Sequence, residues 1–337
     1  MNSLERITAT LQGRPADRVP VIAQVFGHAA VASGVSLGSY VGDGSVLARC
    51  QAEALERYGY DAVFALMDTS VETEAAGSVL DHPDNDYPTV QSYALASADE
   101  LDDLPVPDPR KAGRMPELLV AARILREEVG NDTLVVGCVL GPLTIATQLM
   151  GMEKALYCAI DEPDRFRDIL DYATELAREF GKAQIEAGVH LPLVFDPAAS
   201  PAVVPPGFFR EFELPRLGAL FAGFKRHGSL ANWLHIAGPA APIFPLYPEI
   251  GVDIANFDYP VSAAAAQAAL PATCLDGNIK PLSFVEDDPA GITREAGQLL
   301  DQFADRGRYI LSSGCEIPPE SSPRNIEAMV RAAVGRK

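Results

Sequence analysis

Residues 134–139 read Leu-Val-Val-Gly-Cys-Val and residues 190–195 read His-Leu-Pro-Leu-Val-Phe, and these two runs decide the fold. Each is strand-length and apolar on both faces, as parallel strands are when buried between two layers. Between them the pattern over Asp164–Ala187 is helical, with Asp161-Glu-Pro-Asp164 placing acids and a proline at its start and Gly188 just past its end. The same rhythm extends outward in both directions. Further strands are expected at Val19–Val25 and Ala62–Met67 upstream, and at Asn232–Ala237, Val252–Phe257, Ala272–Ile279 and Arg308–Ser312 downstream. Helices are expected at Leu47–Tyr58, Met115–Val129, Phe208–Arg226, Val261–Ala269, Gly291–Phe303 and Arg324–Val334, with an N-terminal helix from Ser3 to near Gly13. Eight βα units predict an α/β fold: a single (β/α)8 TIM-type barrel domain over residues 1–337. A doubly wound open sheet is the competing architecture, but no glycine-rich dinucleotide fingerprint follows any strand.

One stretch breaks the rhythm. Thr69–Gly113 carries His82-Pro-Asp-Asn-Asp-Tyr-Pro88, Asp99–Asp103 and Pro105-Val-Pro-Asp-Pro109, with little helical periodicity. A connection this long is usually functional, so a loop and hairpin insertion after the second strand is expected, pairing Gly77–Leu80 with Thr89–Ala94 beside the active site.

The chain has 337 residues, 27 Lys+Arg against 46 Asp+Glu, and a formal charge of −19. Such an acidic balance argues against nucleic acid and against anionic membrane surfaces, since both are bound through Lys and Arg. No apolar run approaches the roughly 20 residues that span a bilayer, and Met1–Arg18 has no apolar signal core, so a cytoplasmic protein is expected. The five cysteines are widely spaced with no CxxC, which is not a disulfide framework. The sequence does not reveal an oligomeric state.

In a barrel of this kind, chemistry belongs at the carboxyl ends of the strands. Those ends carry Gln24, Asp68, Gly141-Pro142, Asp196, His235, Asp258, Asn278 and Cys315. His235 stands inside the apolar run Trp233-Leu-His-Ile-Ala-Gly238, and Cys315 follows another strand beside Gly314. Imidazole and thiolate together suit Zn²⁺, although a strand histidine is more often a hydrogen-bonded core residue and a lone cysteine more often packing. Asp196, His235 and Cys315 are the catalytic candidates, with His235 and Cys315 as candidate metal ligands. Gln24, His28, Asp68, Glu74, Asp258 and Asn278 are the candidate substrate contacts; a solvated loop is the competing reading for Glu72 and its acidic neighbours.

Several motifs, in order, resemble the uroporphyrinogen decarboxylase superfamily. They are Arg14-Pro-Ala-Asp-Arg-Val-Pro20, Gly141-Pro-Leu-Thr144 with Gln148-Leu-Met-Gly151, and Asp196-Pro-Ala-Ala-Ser200. Pro206-Gly-Phe-Phe-Arg-Glu-Phe212 with Pro215, His235-Ile-Ala-Gly238, Gly277-Asn278 and Gly314-Cys315 with Ile317-Pro318 complete the set. The resemblance is to the corrinoid-linked branch, the methylcobamide:coenzyme M methyltransferases and their bacterial relatives. It implies a (β/α)8 barrel and transfer of a methyl group between methylcobalamin, or another corrinoid on a partner protein, and a small acceptor such as a thiol or reduced folate.

In the zinc methyltransferases of that branch, the resemblance implies a His-x-Cys motif at one strand end and a cysteine at another. This chain keeps His235 and Cys315 but has Ala237 where the first cysteine would fall. Two outcomes stay open: an oxygen ligand from Asp196, Asp258 or Glu316 in an altered zinc site, or a site without metal whose acceptor is not a thiol. The decarboxylase itself implies an arginine-rich stretch after the first strand, but Gln24-Val-Phe-Gly-His-Ala-Ala30 has none. A tetrapyrrole decarboxylase and a silent relative that only binds a corrinoid protein are the alternative functions.

Overall fold

A computed structural model describes residues 1–335; residues 336–337 of the expected domain lie outside them. Ten strands occur in it: β1 (Val21–Ile22), β2 (Ala62–Ala65), β3 (Val79–Asp81), β4 (Thr89–Ser92), β5 (Leu134–Leu140), β6 (Leu191–Phe195), β7 (Trp233–His235), β8 (Ile254–Asn256), β9 (Cys274–Ile279) and β10 (Tyr309–Ser313). Eight of them form one sheet in the order β1-β10-β9-β8-β7-β6-β5-β2. Every neighbouring pair is parallel. The residues of β5 and β6 are buried throughout, because each strand faces the barrel interior on one side and the helical layer on the other. This is the TIM-type barrel that the alternation of strands and helices predicts.

The sheet order begins at β1 and ends at β2, and that seam is bridged through one residue. The Asp61 backbone N–H donates to the Val21 carbonyl at 2.8 Å. The Val21 N–H in turn donates to Asp61 Oδ2 at 2.7 Å. The Asp61 carboxylate is fully buried and accepts from Ser3 Oγ at 2.7 Å, from Arg6 at 2.7 Å and from both terminal nitrogens of Arg18 at 2.7 and 3.0 Å. Arg6 also grips Asp17 at 2.7 and 2.9 Å, and its guanidinium holds that carboxyl well below the usual range. Two guanidiniums and two carboxylates therefore fasten the N-terminal helix Ser3–Leu11 and the Arg14–Pro20 segment to the amino end of the barrel.

Several local expectations change. The first strand is two residues long rather than seven: Val21–Ile22 pair with β10, and on the other side Asp61 meets Val21 alone. The expected helix Phe208–Arg226 is divided into Pro206–Phe208, a π-helical turn at Phe209–Glu213 and a regular helix at Leu214–Arg226. Helices Pro142–Met150 and Met152–Asp161 escape sequence reading. In the first, every residue but Gln148 is buried, so it shows no amphipathic stripe, and its Gly-Pro opening reads as a turn. The segment after β2 holds a short helix, Val71–Ala75, before β3 and β4 pair antiparallel as a hairpin.

Replacing Asp61 with Asn should leave two buried guanidiniums without their full counter-charge. The expected loss is about 3 kcal/mol or more of unfolding free energy in urea titrations, a loss within 0.5 kcal/mol showing instead that the bridge is dispensable.

Candidate functional site

At the carboxyl end of the barrel lies a cavity of about 180 Å³. Its walls are Phe26, Leu66, Met67, Phe195, Pro197 and Ala237, and its polar lining is Asp68, Thr69, Tyr87, His235, Cys315 and Glu316. His235 ends β7 and pairs in register with Phe195, the last residue of β6. The two rings lie 4.3 Å apart between centroids. Register thus delivers the imidazole to the cavity edge. Cys315 and Glu316 follow β10 by two and three residues, because the chain turns there at Gly314. A β-carbon on Gly314 would collide with the Asp258 carboxylate, so only glycine lets this turn pack so close.

His235 is 1% exposed, and neither ring nitrogen has a protein hydrogen-bond partner. Burial alone pushes its pKa down to about 3, so the ring is neutral, with one nitrogen free to accept and the other to donate. Burial also pushes the Cys315 thiol up to about 12, which keeps it protonated at neutral pH. Glu316 Oε1 accepts from Tyr87 Oη at 2.5 Å and from the Gly27 N–H at 3.2 Å. Its pKa rises to about 7, again chiefly by burial. Asp68 forms an ion pair with Arg114, which also donates to Glu74 at 2.6 Å. Among the described residues no arginine or lysine lines the cavity.

A family model described as uroporphyrinogen decarboxylase (URO-D) matches residues 2–335. The chain belongs to the uroporphyrinogen decarboxylase family. This family member is similar to the methylcobamide:CoM methyltransferase MtaA of Methanosarcina barkeri, 29% identical over 340 residues and covering 97% of this chain and 96% of the relative. It is also similar to the uroporphyrinogen decarboxylase of Trichlorobacter lovleyi, 25% identical over 334 residues with 94% of each chain covered. Among solved structures, a methyltransferase from Methanosarcina mazei matches with a TM-score of 0.90 at 27% identity, covering 98% of each chain.

Of the candidate residues singled out from the sequence of this decarboxylase-family chain, His235, Cys315, Glu316 and Asp68 come together at the cavity. The others lie outside its lining. Asp196 is fully buried and accepts from the Thr144 N–H at 2.9 Å and Thr144 Oγ1 at 2.7 Å, behind the wall that Phe195 and Pro197 make. Beside it, Glu213 from the π-helical turn is also buried; burial and the neighbouring Asp196 charge raise its pKa well above the ordinary value. Gln24 donates to the Ser313 carbonyl at 3.2 Å, and His28 is wedged between the Pro319 carbonyl at 3.0 Å and Tyr58 Oη at 2.8 Å. Asp258 accepts from the Gly238 and Tyr259 N–H groups at 2.8 and 2.7 Å, and Asn278 donates to the Val261 carbonyl at 2.8 Å. Glu74 sits with Arg114 and with His82, whose ring is 3.4 Å away. Glu72 is no solvated loop residue: it is 2% exposed and accepts from the Leu140 N–H at 2.7 Å.

Tyr87 was missed, since it lies within a breaker-rich loop, and so was Arg114, whose role is visible only once Asp68 and Glu74 are placed around it. Arg114 therefore offsets part of the negative charge that Asp68 and Glu74 carry.

The donor set does not fit the zinc site that the resemblance implies. A catalytic zinc takes three protein ligands and keeps one position open. Here His235 offers a free nitrogen and Cys315 a high-pKa thiol, while Ala237 offers nothing. Of the candidate oxygen ligands, Asp196 and Asp258 are committed to Thr144 and to backbone N–H groups, and Glu316, which lines the same cavity, accepts from Tyr87 Oη and the Gly27 N–H through Oε1. Among the described residues no group of three or more His, Cys, Asp and Glu side chains is arranged to hold a metal.

The buried imidazole makes a pH prediction. The folded protein protonates His235 only near pH 3, whereas an unfolded histidine does so near 6.5. Between those values the unfolded state binds more protons, so stability is full above about pH 6.5 and falls as the pH drops toward 3. His235→Asn should make the fall in Tm between about pH 7 and pH 4 shallower; parallel curves for the two proteins would place the folded ring in contact with solvent.

Proposed function

We propose that this chain, working as one barrel domain, is a methyltransferase that moves a methyl group between a corrinoid carried by a partner protein and a small acceptor seated in the cavity. The observation that carries the reading is the neutral His235 ring, whose two unpaired nitrogens border a largely apolar chamber at the catalytic end of the barrel. An unpaired buried polar group is costly, so its persistence at a cavity wall points to a ligand that completes it. The relatives named for methyl transfer between methylcobamide and coenzyme M, and the M. mazei methyltransferase of the same fold, support the reaction class.

The corrinoid would supply the methyl carbon as the electrophile and keep the electron pair of its carbon–cobalt bond as the acceptor–carbon bond forms, the acceptor's proton leaving by way of His235 to solvent. An acceptor S–H, N–H or O–H would donate to the free nitrogen of His235, which turns the acceptor lone pair toward the cavity mouth. The Cys315 thiol would border the same acceptor. Phe26, Leu66, Met67 and Phe195 keep water away from the reacting atoms. The segment from Thr69 to Gly113 contributes Thr69 and Tyr87 to the wall and would form part of the rim on which the corrinoid protein rests.

The decarboxylase reading finds less support. A substrate with many carboxylates needs cations, and the lining has none. Asp68 and Glu316 would face it instead.

His235→Ala and Cys315→Ser should each lower methyl transfer from methylcobalamin, or from a methylated corrinoid protein, by at least about 100-fold, while circular dichroism and Tm stay near those of the parent. Wild-type rates in both variants would remove these two residues from the mechanism. Carbon dioxide release from uroporphyrinogen would support the decarboxylase instead.

A further inference from the structure

We infer that the part of the acceptor that enters the cavity carries no negative charge, and that a cationic group is preferred there, held by Glu316. The inference rests on the methyl-acceptor reading and deepens it.

Two charged residues line the chamber, and they are not equivalent. Asp68 is neutralised by Arg114, which also holds Glu74. Glu316 has no such partner: its hydrogen bonds come from the Tyr87 hydroxyl and the Gly27 N–H, both on Oε1, and leave Oε2 without a protein donor. A half-buried carboxyl group lining a cavity without a counter-charge is stabilised either by a proton or by a cation brought to it. An ammonium group entering the cavity would restore what burial removed, whereas a sulfonate or carboxylate would add a second uncompensated charge.

Three aromatic residues, Phe26, Tyr87 and Phe195, share the lining, and their ring faces favour a cation over an anion. His235 is the independent sign that a ligand belongs here, since both of its nitrogens are buried and unpartnered at the same wall. Being neutral, it can accept from a thiol, amine or hydroxyl without supplying the positive charge an anionic acceptor would require.

The test uses three small thiols of matched length: cysteamine, 2-mercaptoethanol and 2-mercaptoethanesulfonate, which differ at the far end by a positive charge, no charge and a negative charge. Isothermal titration of the full-length protein should rank cysteamine tightest and the sulfonate weakest, with at least about a tenfold difference in Kd between the two. Glu316→Gln should shrink that ratio at least about threefold. Equal affinities, a preference for the sulfonate, an unchanged ratio in a folded Glu316→Gln protein, or no binding by any of the three would overturn the inference. The wild-type ranking alone decides the matter if that variant does not fold. Methyl transfer from methylcobalamin to the same thiols reads the proposed function separately: turnover with the sulfonate at least as efficient as with cysteamine would keep the methyltransferase reading while sinking the charge preference.

Discussion

Everything at the catalytic end of this barrel depends on a contact at the opposite end. The Asp61 carboxylate joins β1 to β2 by accepting from the Val21 N–H, and it does so while surrounded by Ser3, Arg6 and Arg18. A parallel barrel must close on itself to cover its last strand edge, and here a short first strand leaves little ladder for that purpose. The side chain provides the missing connection, and the two arginines keep its charge stable away from water. Closure in turn sets the neighbours of β10, the strand that carries Cys315 and Glu316 to the mouth, since β10 pairs with β1.

The chemistry of the mouth follows from desolvation more than from charge. The same burial lowers the His235 pKa and raises those of Cys315 and Glu316, so the imidazole and the thiol are neutral while Glu316 titrates at about pH 7. A neutral imidazole and a thiol are hydrogen-bonding groups for a small molecule, and among the described residues they join no group of three His, Cys, Asp or Glu side chains arranged to hold a metal. Ala237 is the point at which this chain departs from the ligand pattern of the zinc methyltransferases it resembles.

Behind the cavity wall, buried acids are held by hydrogen bonds to helix starts and strand ends. Asp196 caps the start of the Pro142–Met150 helix through Thr144, and a β-carbon on Gly141 would collide with that carboxylate. Glu72 grips the end of β5 in a similar way. These groups explain why the strand exits of this sequence are so rich in acids while the cavity itself shows only two. Most of the polar residues at strand ends fasten loops, and a minority face the cavity.

The run of apolar strand-length segments separated by amphipathic helices was enough to define the barrel, because a parallel strand buried on both sides and a helix buried on one leave different periodicities in the chain. The pairing of His235 with Cys315 was also legible, since both follow strands whose carboxyl ends share one face. What the sequence by itself determined is therefore the architecture and which end of it carries the chemistry. Only the tertiary structure decided that His28, Asn278 and Asp258 are tied to protein partners, that Arg114 neutralises Asp68, and that Tyr87 and Glu316 meet at the cavity. Periodicity records how much of a residue is buried, but the partner that satisfies a buried polar group comes from a distant part of the chain, and that distance leaves no local trace.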